Sequence, residues 1–209
     1  MTLEARYGAT PINEEEAVAL TPEVLEILEG EPCKASIYRL EQIALEETEA
    51  EWLAQVLNGE IGVDDLLRDY FVRRLHDELY GDIWQWAGKY RIRELNIGVA
   101  PEQIAESVRA SLGNILYRWE FTDDWTPHDL GIAVHMELVR IHPFTDGNGR
   151  STRLMADLTT VAAQCERGEE SIVLYDWAVD RRRYIDLLVE YDRHRDPKPL
   201  SAFVKVHPL

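Results

Sequence analysis

Apolar residues recur three or four positions apart along most of the chain. This spacing runs through residues 36–57, 63–84 and 101–119, and it places the apolar side chains on one face of an α-helix. A shorter helix is predicted from Pro22 to Gly30, because glycine commonly ends a helix. Residues up to about position 20 carry an acidic run without this pattern, and we expect them to be loosely ordered. The chain is therefore predicted to be mostly helical.

The segment from Lys89 to Val99 departs from the helical pattern. It follows a glycine, places apolar Tyr90 and Ile92 between polar neighbours, and reaches another glycine at position 98. Alternation with a period of two is typical of an extended strand. We predict a short β-hairpin or extended flap here, the only β-like stretch of note. The predicted fold class is all-α with one short β-hairpin flap.

Two helices are predicted on either side of a proline and a pair of glycines. Thr126 can cap the first helix, and Pro127 suits its first position because an amide hydrogen there would be unpaired. Pro143 disfavours helical backbone at the preceding residue, so this helix is predicted to end within the two residues before it. The second helix follows the glycines and runs through residues 151–165.

The remaining pattern shows neither a repeat nor a clear linker between domains. A further helix is predicted over residues 176–194, and two prolines separate it from a short terminal piece. We divide the chain into an N-terminal helical extension at residues 1–59, a main helical domain at 60–200 and a C-terminal tail at 201–209.

Composition and charge restrict the partners that we expect. The 209 residues are 45% hydrophobic and 29% charged, as in ordinary globular proteins, and the net charge is −17. A surface this negative repels phosphate backbones and anionic lipid, so we expect no direct nucleic acid and no membrane as partner. Cys33 and Cys165 are read as reduced thiols. The start lacks a secretory signal pattern and no apolar run is long enough for a membrane helix, so a cytoplasmic protein is expected.

The run HPFTDGNGRSTR, residues 142–153, combines residue types that suit a polyphosphate. Gly147 and Gly149 allow positive φ and close approach of a ligand to the main chain. The helix that follows begins with unpaired amide hydrogens and the positive end of its dipole, which together form an anion cradle. Arg150 and Arg153 are three apart, so both can project from one helical face toward anionic oxygens.

Three polar residues of the same run could complete such a site. Asp146 would suit a bridging Mg²⁺, and Asn148 adds an amide donor beside the glycines. A neutral His142 could remove a proton from an incoming hydroxyl group. Each feature taken singly has a structural alternative, since Gly-Asn-Gly often only connects helices and Asp146 can cap the second one. No Walker-type GxxxxGK[ST] loop is present, so a nucleotide would be bound differently.

The run from His142 to Arg153 matches, without a gap, the HxFx(D/E)GNGRxxR signature of Fic-domain proteins. The WAGKYR segment before the flap and the helix pattern on both sides resemble the same family, so the similarity covers roughly residues 60–200. The segments GATP and NIGV, together with YIDLL and the late proline pair, are similar to a subgroup called mobile mystery protein B. We therefore expect a mainly helical Fic fold.

The resemblance implies a protein adenylyltransferase, which moves AMP from ATP to a hydroxyl side chain (Ser, Thr or Tyr) of a target protein and releases pyrophosphate. By this resemblance His142 is the general base and Asp146 binds Mg²⁺ bridging the α- and β-phosphates. The flap would bind the target segment by strand-like pairing. The phosphate contacts implied are the anion hole of Gly147, Asn148 and Gly149, the β-phosphate contact of Arg150 and the γ-phosphate contact of Arg153.

Two other functions are weighed against AMP transfer. Doc-type relatives are protein phosphotransferases and carry a lysine at the position of Gly149, so the glycine here favours AMP transfer. A catalytically silent binding module of the toxin–antitoxin type would need neither His142 nor Asp146, and both are present.

The mode of inhibition is left open by the sequence. Many Fic proteins contain an inhibitory helix of pattern (S/T)xxxE(G/N), whose glutamate pairs with the second arginine of the motif. The single Glu-Gly here, Glu29-Gly30, has Leu25 at the Ser/Thr position, and no Glu-Asn occurs. A separate antitoxin-like partner, a degenerate helix and an unrestrained enzyme all fit this pattern. Glu29 and Glu41 are weak candidates for the pairing acid, and we interpret both as surface carboxylates.

Two residues outside the motif are minor candidates for the site. His135 lies seven before His142 and shares its helix face, although a buried, hydrogen-bonded histidine is the favoured interpretation. Tyr184 lies where Fic relatives place the adenine pocket, and core packing explains it equally well.

Overall fold

A computed structural model of the chain describes residues 12–29 and 32–209. Within these ranges the fold is mainly helical with one two-stranded antiparallel sheet, which confirms the predicted class. The helices are α1 Glu14–Ala19, α2 Pro22–Ile27, α3 Lys34–Leu57, α4 Val63–Leu66, α5 Asp69–Tyr80, α6 Ile104–Phe121, α7 Pro127–Ile141, α8 Asn148–Glu166, α9 Arg181–His194 and α10 Lys198–Phe203. The strands are β1 Val173–Asp176 and β2 Lys205–Pro208.

Helices α7 and α8 form the centre of the molecule. The start of α7 is the one predicted, with Thr126 and Asp129 forming a reciprocal capping box and Pro127 in the first turn. Most residues of both helices are buried, because α3, α5 and α6 pack around them. The two helices approach closely at Gly131, where a Cβ atom would overlap the Thr160 hydroxyl of α8. This tight pair carries the connecting turn.

The outer helices are held to this centre by their apolar faces. Phe71, Leu75 and Leu79 of α5 are buried along one face, as their spacing predicts. Trp52 of α3 is fully buried and packs edge-on against Phe71 at 4.6 Å between ring centroids. The core continues through α6, so one hydrophobic cluster joins the N-terminal helices to buried residues as far as Leu174. A second cluster packs Tyr184, Leu187 and Tyr191 of α9 against Ile132 and Met136 of α7.

The C-terminal region differs from the prediction. The predicted helix over 176–194 begins only at Arg181, where the Asp180 side chain caps it, and residues 173–176 form β1 instead. β1 pairs with β2, so part of the predicted tail is a strand. Asp157 of α8 accepts hydrogen bonds from the Tyr175 amide at 3.2 Å and the Trp177 indole at 2.9 Å. These bonds hold the segment extended, which the local pattern did not indicate.

The predicted β-hairpin at residues 89–99 is wrong, because the structure assigns no strand there. The Arg91 amide donates to the Pro143 carbonyl at 2.9 Å, and the Val99 amide donates to the Ile141 carbonyl at 3.2 Å. The flap thus bonds to the segment joining α7 and α8, and hydrogen bonds across a hairpin do not form. The segment is non-helical, as predicted, with bends at residues 96–99.

The N-terminal prediction also needs correction. Residues 14–19 form α1, because the side chains of Asn13 and Glu16 make a capping box. Helix α2 ends at Ile27, and Gly30, predicted to end it, lies outside the described residues, as does the GATP segment. Across residues 12–29 and 32–209, no helix combines the length and apolar character needed to cross a membrane.

Candidate active site

The turn between α7 and α8, residues 142–147, is shaped by two residues with left-handed backbone. His142 follows the last residue of α7 with φ 53°, and Gly147 precedes α8 with φ 74°. Phe144 is fully buried and anchors the turn in the core. The Asn148 side chain accepts from the Phe144 amide at 2.9 Å and donates to the Phe144 carbonyl at 2.8 Å. Asn148 therefore fixes the turn with its side chain.

The two glycines of the motif have different structural roles. At Gly147 a Cβ atom would lie 2.5 Å from the Tyr80 ring, so both its φ and its surroundings require glycine. Gly149 lies within α8 and has helical backbone, unlike the positive φ that the sequence suggested. A Cβ atom there would meet nothing within 4 Å. Gly149 thus leaves an open path to the start of α8.

The start of α8 offers donors for an anion. The amides of Asn148 and Gly149 have no acceptor within residues 12–29 and 32–209, as expected for the first positions of a helix. The positive end of the helix dipole adds to their attraction for anions. This arrangement agrees with the anion cradle predicted from the sequence.

Asp146 is exposed at the mouth of this cradle. One carboxylate oxygen accepts from the Gly147 amide at 2.6 Å, and the other is available. Within the described ranges no group of three or more His, Cys, Asp and Glu side chains could hold a metal ion. Mg²⁺ is commonly held by one or two carboxylates together with substrate phosphates and water. A single carboxylate beside a phosphate cradle therefore fits this ion.

His142 is half-buried beside Asp146. Its Nδ1 atom is buried and has no hydrogen-bond partner among the described residues. Its carbonyl accepts from Nε of Arg91 at 2.8 Å, and this guanidinium group also binds the carbonyls of Arg93 and Val99. Burial lowers the pKa of His142 and the positive charge of Arg91 lowers it further, partly offset by Asp146. The lowered pKa favours the neutral form of the imidazole.

Arg150 pairs with a carboxylate that the sequence interpretation placed on the surface. Glu41 of α3 is buried, and its side chain accepts from Nη1 of Arg150 at 2.6 Å and from the indole of Trp84 at 2.9 Å. The surface interpretation of Glu41 is therefore wrong. The Arg150 guanidinium also lies over the Tyr80 ring, 5.0 Å from its centroid. Helix α3 thus contributes directly to the site.

Arg153 points to a different side of the site from Arg150. Its guanidinium carbon lies 5.6 Å from the ring centroid of Trp177 and 5.5 Å from that of Tyr184. Its Nε is buried without a hydrogen-bond partner in the described part of the chain. His135 is fully buried, and its Nε2 lies 2.7 Å from the Tyr184 hydroxyl. The favoured interpretation of His135 as a buried, hydrogen-bonded residue is confirmed.

Sequence reasoning missed the role of Arg91. It is almost completely buried, although arginine is usually exposed, and its guanidinium joins the flap to His142. The signal that was available is its position as the last residue of WAGKYR, within the first residues of the flap. That segment contributed to the family resemblance, but nothing local to it indicates burial.

Comparison with known proteins identifies the class to which this pair of helices and its turn belong. Residues 67–159, from the residue pair before α5 into α8, match the Fic/DOC family. The site is that of a Fic-domain protein, and the predicted resemblance is confirmed. The narrower assignment to the mobile mystery protein B subgroup stays a prediction.

Curated relatives share this region. The chain is 36% identical over 104 residues to the protein adenylyltransferase fic-1 of Caenorhabditis briggsae, covering 47% of this chain and 19% of that protein. It is 25% identical over 198 residues to the protein adenylyltransferase Fic of Nematostella vectensis, covering 90% of this chain and 42% of the relative. The chain thus spans less than half the length of either relative.

Solved structures show the same fold. The BepC protein of Bartonella tribocorum, solved with bound AMPPNP, superposes with a TM-score of 0.61 at 15% identity, covering 87% of this chain and 91% of that one. A Fic-1 variant of C. elegans superposes with a TM-score of 0.58 at 23% identity, covering 94% of this chain and 57% of that one. These likenesses establish the Fic fold.

Proposed function

We propose that this chain is a protein adenylyltransferase, which transfers AMP from ATP to a Ser, Thr or Tyr hydroxyl group of a target protein and releases pyrophosphate. The observation that carries the proposal is the α7–α8 turn, where the half-buried His142 and the exposed Asp146 directly precede the Asn148 and Gly149 amides, which have no acceptor among the described residues. The names of the curated relatives support the same activity.

In this proposal His142 acts as the general base. The imidazole accepts the proton of the target hydroxyl as that oxygen forms a bond to the α-phosphorus of ATP. The bond from the α-phosphorus to the bridging oxygen breaks, and pyrophosphate leaves. Arg91 assists indirectly, because its bond to the His142 carbonyl fixes the left-handed backbone from which the imidazole projects.

The phosphate contacts follow from the same turn. We assign the anion hole to the main-chain amides of Gly147, Asn148 and Gly149, with Arg150 near the β-phosphate. The Gly147 amide donates to the Asp146 carboxylate in the structure, so phosphate would have to replace that contact. Mg²⁺, held by the Asp146 carboxylate, would neutralise phosphate charge when bound. Arg153 is assigned to the γ-phosphate. The protein's part is mainly positioning and electrostatic stabilisation.

Several narrower expectations accompany this proposal. The extension at 1–59, the Fic domain at 60–200 and the tail at 201–209 stay a predicted division, although Glu41 of the extension reaches the site. A cytoplasmic location, a toxin–antitoxin context and a separate antitoxin-like inhibitor also stay predictions. Binding of the target segment along the flap stays a proposal.

Labelled ATP tests the proposed reaction directly. The protein is incubated with Mg²⁺ and cell lysate, once with ATP labelled at the α-phosphate and once with ATP labelled at the γ-phosphate. Transfer of AMP labels the target only from the α-position, whereas a phosphotransferase labels it only from the γ-position. A third outcome is that the protein binds ATP but transfers neither label. If this also holds for Glu41→Gln, in which the charge beside Arg150 is removed, the silent binding module is favoured instead.

Exchange of Arg153 for alanine is expected to weaken ATP binding by about tenfold to a hundredfold. A hydrogen bond to a charged group is worth about 1.5–3 kcal/mol, and Nε of Arg153 has no hydrogen-bond partner among the described residues. Calorimetric titration with ATP measures the loss. Arg167 is a matched control, since it lies over Trp119 at 4.1 Å and binds the Trp125 carbonyl away from the site. Equal affinities of Arg153→Ala and wild type would contradict the assignment.

The two motif glycines are expected to respond differently to alanine. Gly147→Ala combines left-handed backbone with a contact on Tyr80, so the free energy of unfolding should fall by about 2–4 kcal/mol. Gly149→Ala should leave stability unchanged or slightly raised, because its position is helical and open.

The Gly149→Ala protein should nevertheless bind ATP about tenfold more weakly, because the methyl group blocks close approach to the free amides. Chemical denaturation and calorimetry separate the two effects. Unaltered ATP affinity in Gly149→Ala would place the phosphates elsewhere.

A further inference from the structure

His76 of α5 lies beneath the α7–α8 turn and is completely buried. Its Nδ1 accepts a hydrogen bond from the Gly88 amide at 3.1 Å, and its Nε2 lies 3.0 Å from the Asp146 carbonyl. Its ring stacks on Phe144, with 3.6 Å between ring centroids. The proposed reaction assigns no role to this residue.

The two contacts determine the tautomer of His76. The Gly88 amide can only donate, so Nδ1 must present its lone pair. A neutral imidazole then carries its hydrogen on Nε2, which can donate to the Asp146 carbonyl. Both hydrogen bonds are therefore satisfied by the same neutral tautomer, and the ring can bridge these two main-chain groups in that form only.

Packing alone does not account for a histidine at this position. The surrounding rings, including Tyr80 and Trp86, would accommodate an apolar side chain equally well. An apolar residue would leave the Gly88 amide and the Asp146 carbonyl without their partner, and buried polar groups without partners are costly. A histidine is needed here because its ring offers one acceptor to the Gly88 amide and one donor to the Asp146 carbonyl.

The Gly88 amide and the Asp146 carbonyl lie next to the flap and to the anion cradle, respectively. Gly88 directly precedes the flap, and its carbonyl is also bound by Nε of Arg73 at 3.0 Å. Asp146 precedes Gly147 and carries the carboxylate at the mouth of the anion cradle. We propose that His76 is a positioning residue, which fixes the main chain at Asp146 for ATP binding and joins this turn to the base of the flap. The inference rests on the proposed function.

Two amide substitutions separate the two bonds. Glutamine can place its Nε2 where the imidazole Nε2 lies, so His76→Gln retains a donor to Asp146 and loses the Gly88 contact. Asparagine can place its Oδ1 near Nδ1, so His76→Asn retains an acceptor for Gly88 and loses the Asp146 contact. Calorimetry with AMPPNP and Mg²⁺ should show affinity close to wild type for His76→Gln. It should show about a tenfold loss for His76→Asn, as one ordinary hydrogen bond predicts.

His128 provides a matched control for general effects on stability. Its Nε2 lies 2.8 Å from the Ser201 carbonyl, on α10 and away from the α7–α8 turn. His128→Asn should lower the unfolding temperature without changing AMPPNP affinity. Equal AMPPNP affinity for His76→Gln and His76→Asn, at equal stability, would overturn the positioning role.

A second measurement does not depend on nucleotide. Long-range ¹H–¹⁵N spectra of the wild-type imidazoles should show His76 with hydrogen on Nε2 and a lone pair on Nδ1, and the reverse would overturn the inference. Amide exchange in residues 144–149 should be faster in His76→Asn than in His76→Gln, and equal exchange would also overturn it. If wild type neither binds ATP nor transfers AMP, the proposed function fails, and these two readouts still decide the role of His76.

Discussion

Replacing His142 with alanine is expected to lower the rate of AMP transfer about a thousandfold while leaving ATP affinity nearly unchanged. General base catalysis typically contributes about 10²–10⁴ to a rate, and His142 is the neutral imidazole beside the cradle. The side chain contacts the incoming hydroxyl in this proposal and makes no phosphate contact. Single-turnover labelling from α-labelled ATP measures the rate, and calorimetry measures the affinity.

The pH dependence of wild type provides an independent check on the same residue. A base must be neutral to accept a proton, and burial together with Arg91 lowers the pKa of His142. A lowered pKa keeps the imidazole neutral to lower pH, so the acidic limb of the rate profile should lie below the ordinary histidine value of about 6.5. A limb above that value would contradict the assigned environment.

Equal labelling by wild type and His142→Ala would remove His142 from the mechanism. His128→Ala is the appropriate control, because this histidine binds the Ser201 carbonyl far from the turn. The His142→Ala and His128→Ala proteins should each be compared with the parent protein a second time in a Glu41→Gln background, because the Glu41 carboxylate binds the Arg150 guanidinium in the structure. If the Glu41 contact makes the wild-type rate low, the effect of His142→Ala on the rate can still be measured in this background.

Local signals predicted the part of the fold that carries the motif. Thr126 and Pro127 mark the start of α7, and Pro143 marks its end, because capping and the missing proline amide act within a few residues. Within the run from His142 to Arg153, the Asn148 side chain bonds to the Phe144 main chain four residues away, so part of the turn is also fixed locally. For this reason the central turn of the site was predictable without knowledge of the remaining contacts.

Long-range pairing accounts for the parts that were not predictable. The flap alternates like a strand, but its hydrogen bonds go to Ile141 and Pro143, more than forty residues along the chain. β1 at 173–176 pairs with residues 205–208 and is also bonded to Asp157 of α8. Glu41 is separated from Arg150 by 109 residues, and its burial depends on how α3 packs. No local pattern carries this information.

Removing the charge of Glu41 is expected to raise ATP affinity about tenfold and to increase AMP transfer at limiting ATP. Glu41 holds the guanidinium group that we assign to the β-phosphate region, and a charge-assisted hydrogen bond of this kind is worth about 1.5–3 kcal/mol. ATP must displace or share that contact. Glu41→Gln is the suitable change, because its side-chain oxygen can still accept from the Trp84 indole.

The same substitution should lower the stability of the protein without nucleotide. The Glu41 side chain is 8% exposed and the Arg150 side chain is 27% exposed. Solvent around Arg150 therefore reduces the stability that is lost when the ion pair is removed. We expect the free energy of unfolding to fall by about 1–2 kcal/mol. Saturating ATP should restore more stability in Glu41→Gln than in wild type, because phosphate then supplies the missing anion. Thermal unfolding with and without ATP measures this difference.

This restraint differs from the one implied by the family resemblance, since the pairing acid binds the first arginine of the motif and not Arg153. Glu78 supplies the matched control, because it accepts from the Trp52 indole at 2.5 Å and from Arg74 at 2.8 Å, away from the cradle. Glu78→Gln should cost stability without altering ATP affinity. If Glu41→Gln and Glu78→Gln have the same ATP affinity, Glu41 is a packing residue of α3, and a separate inhibitory partner becomes the better explanation of restraint.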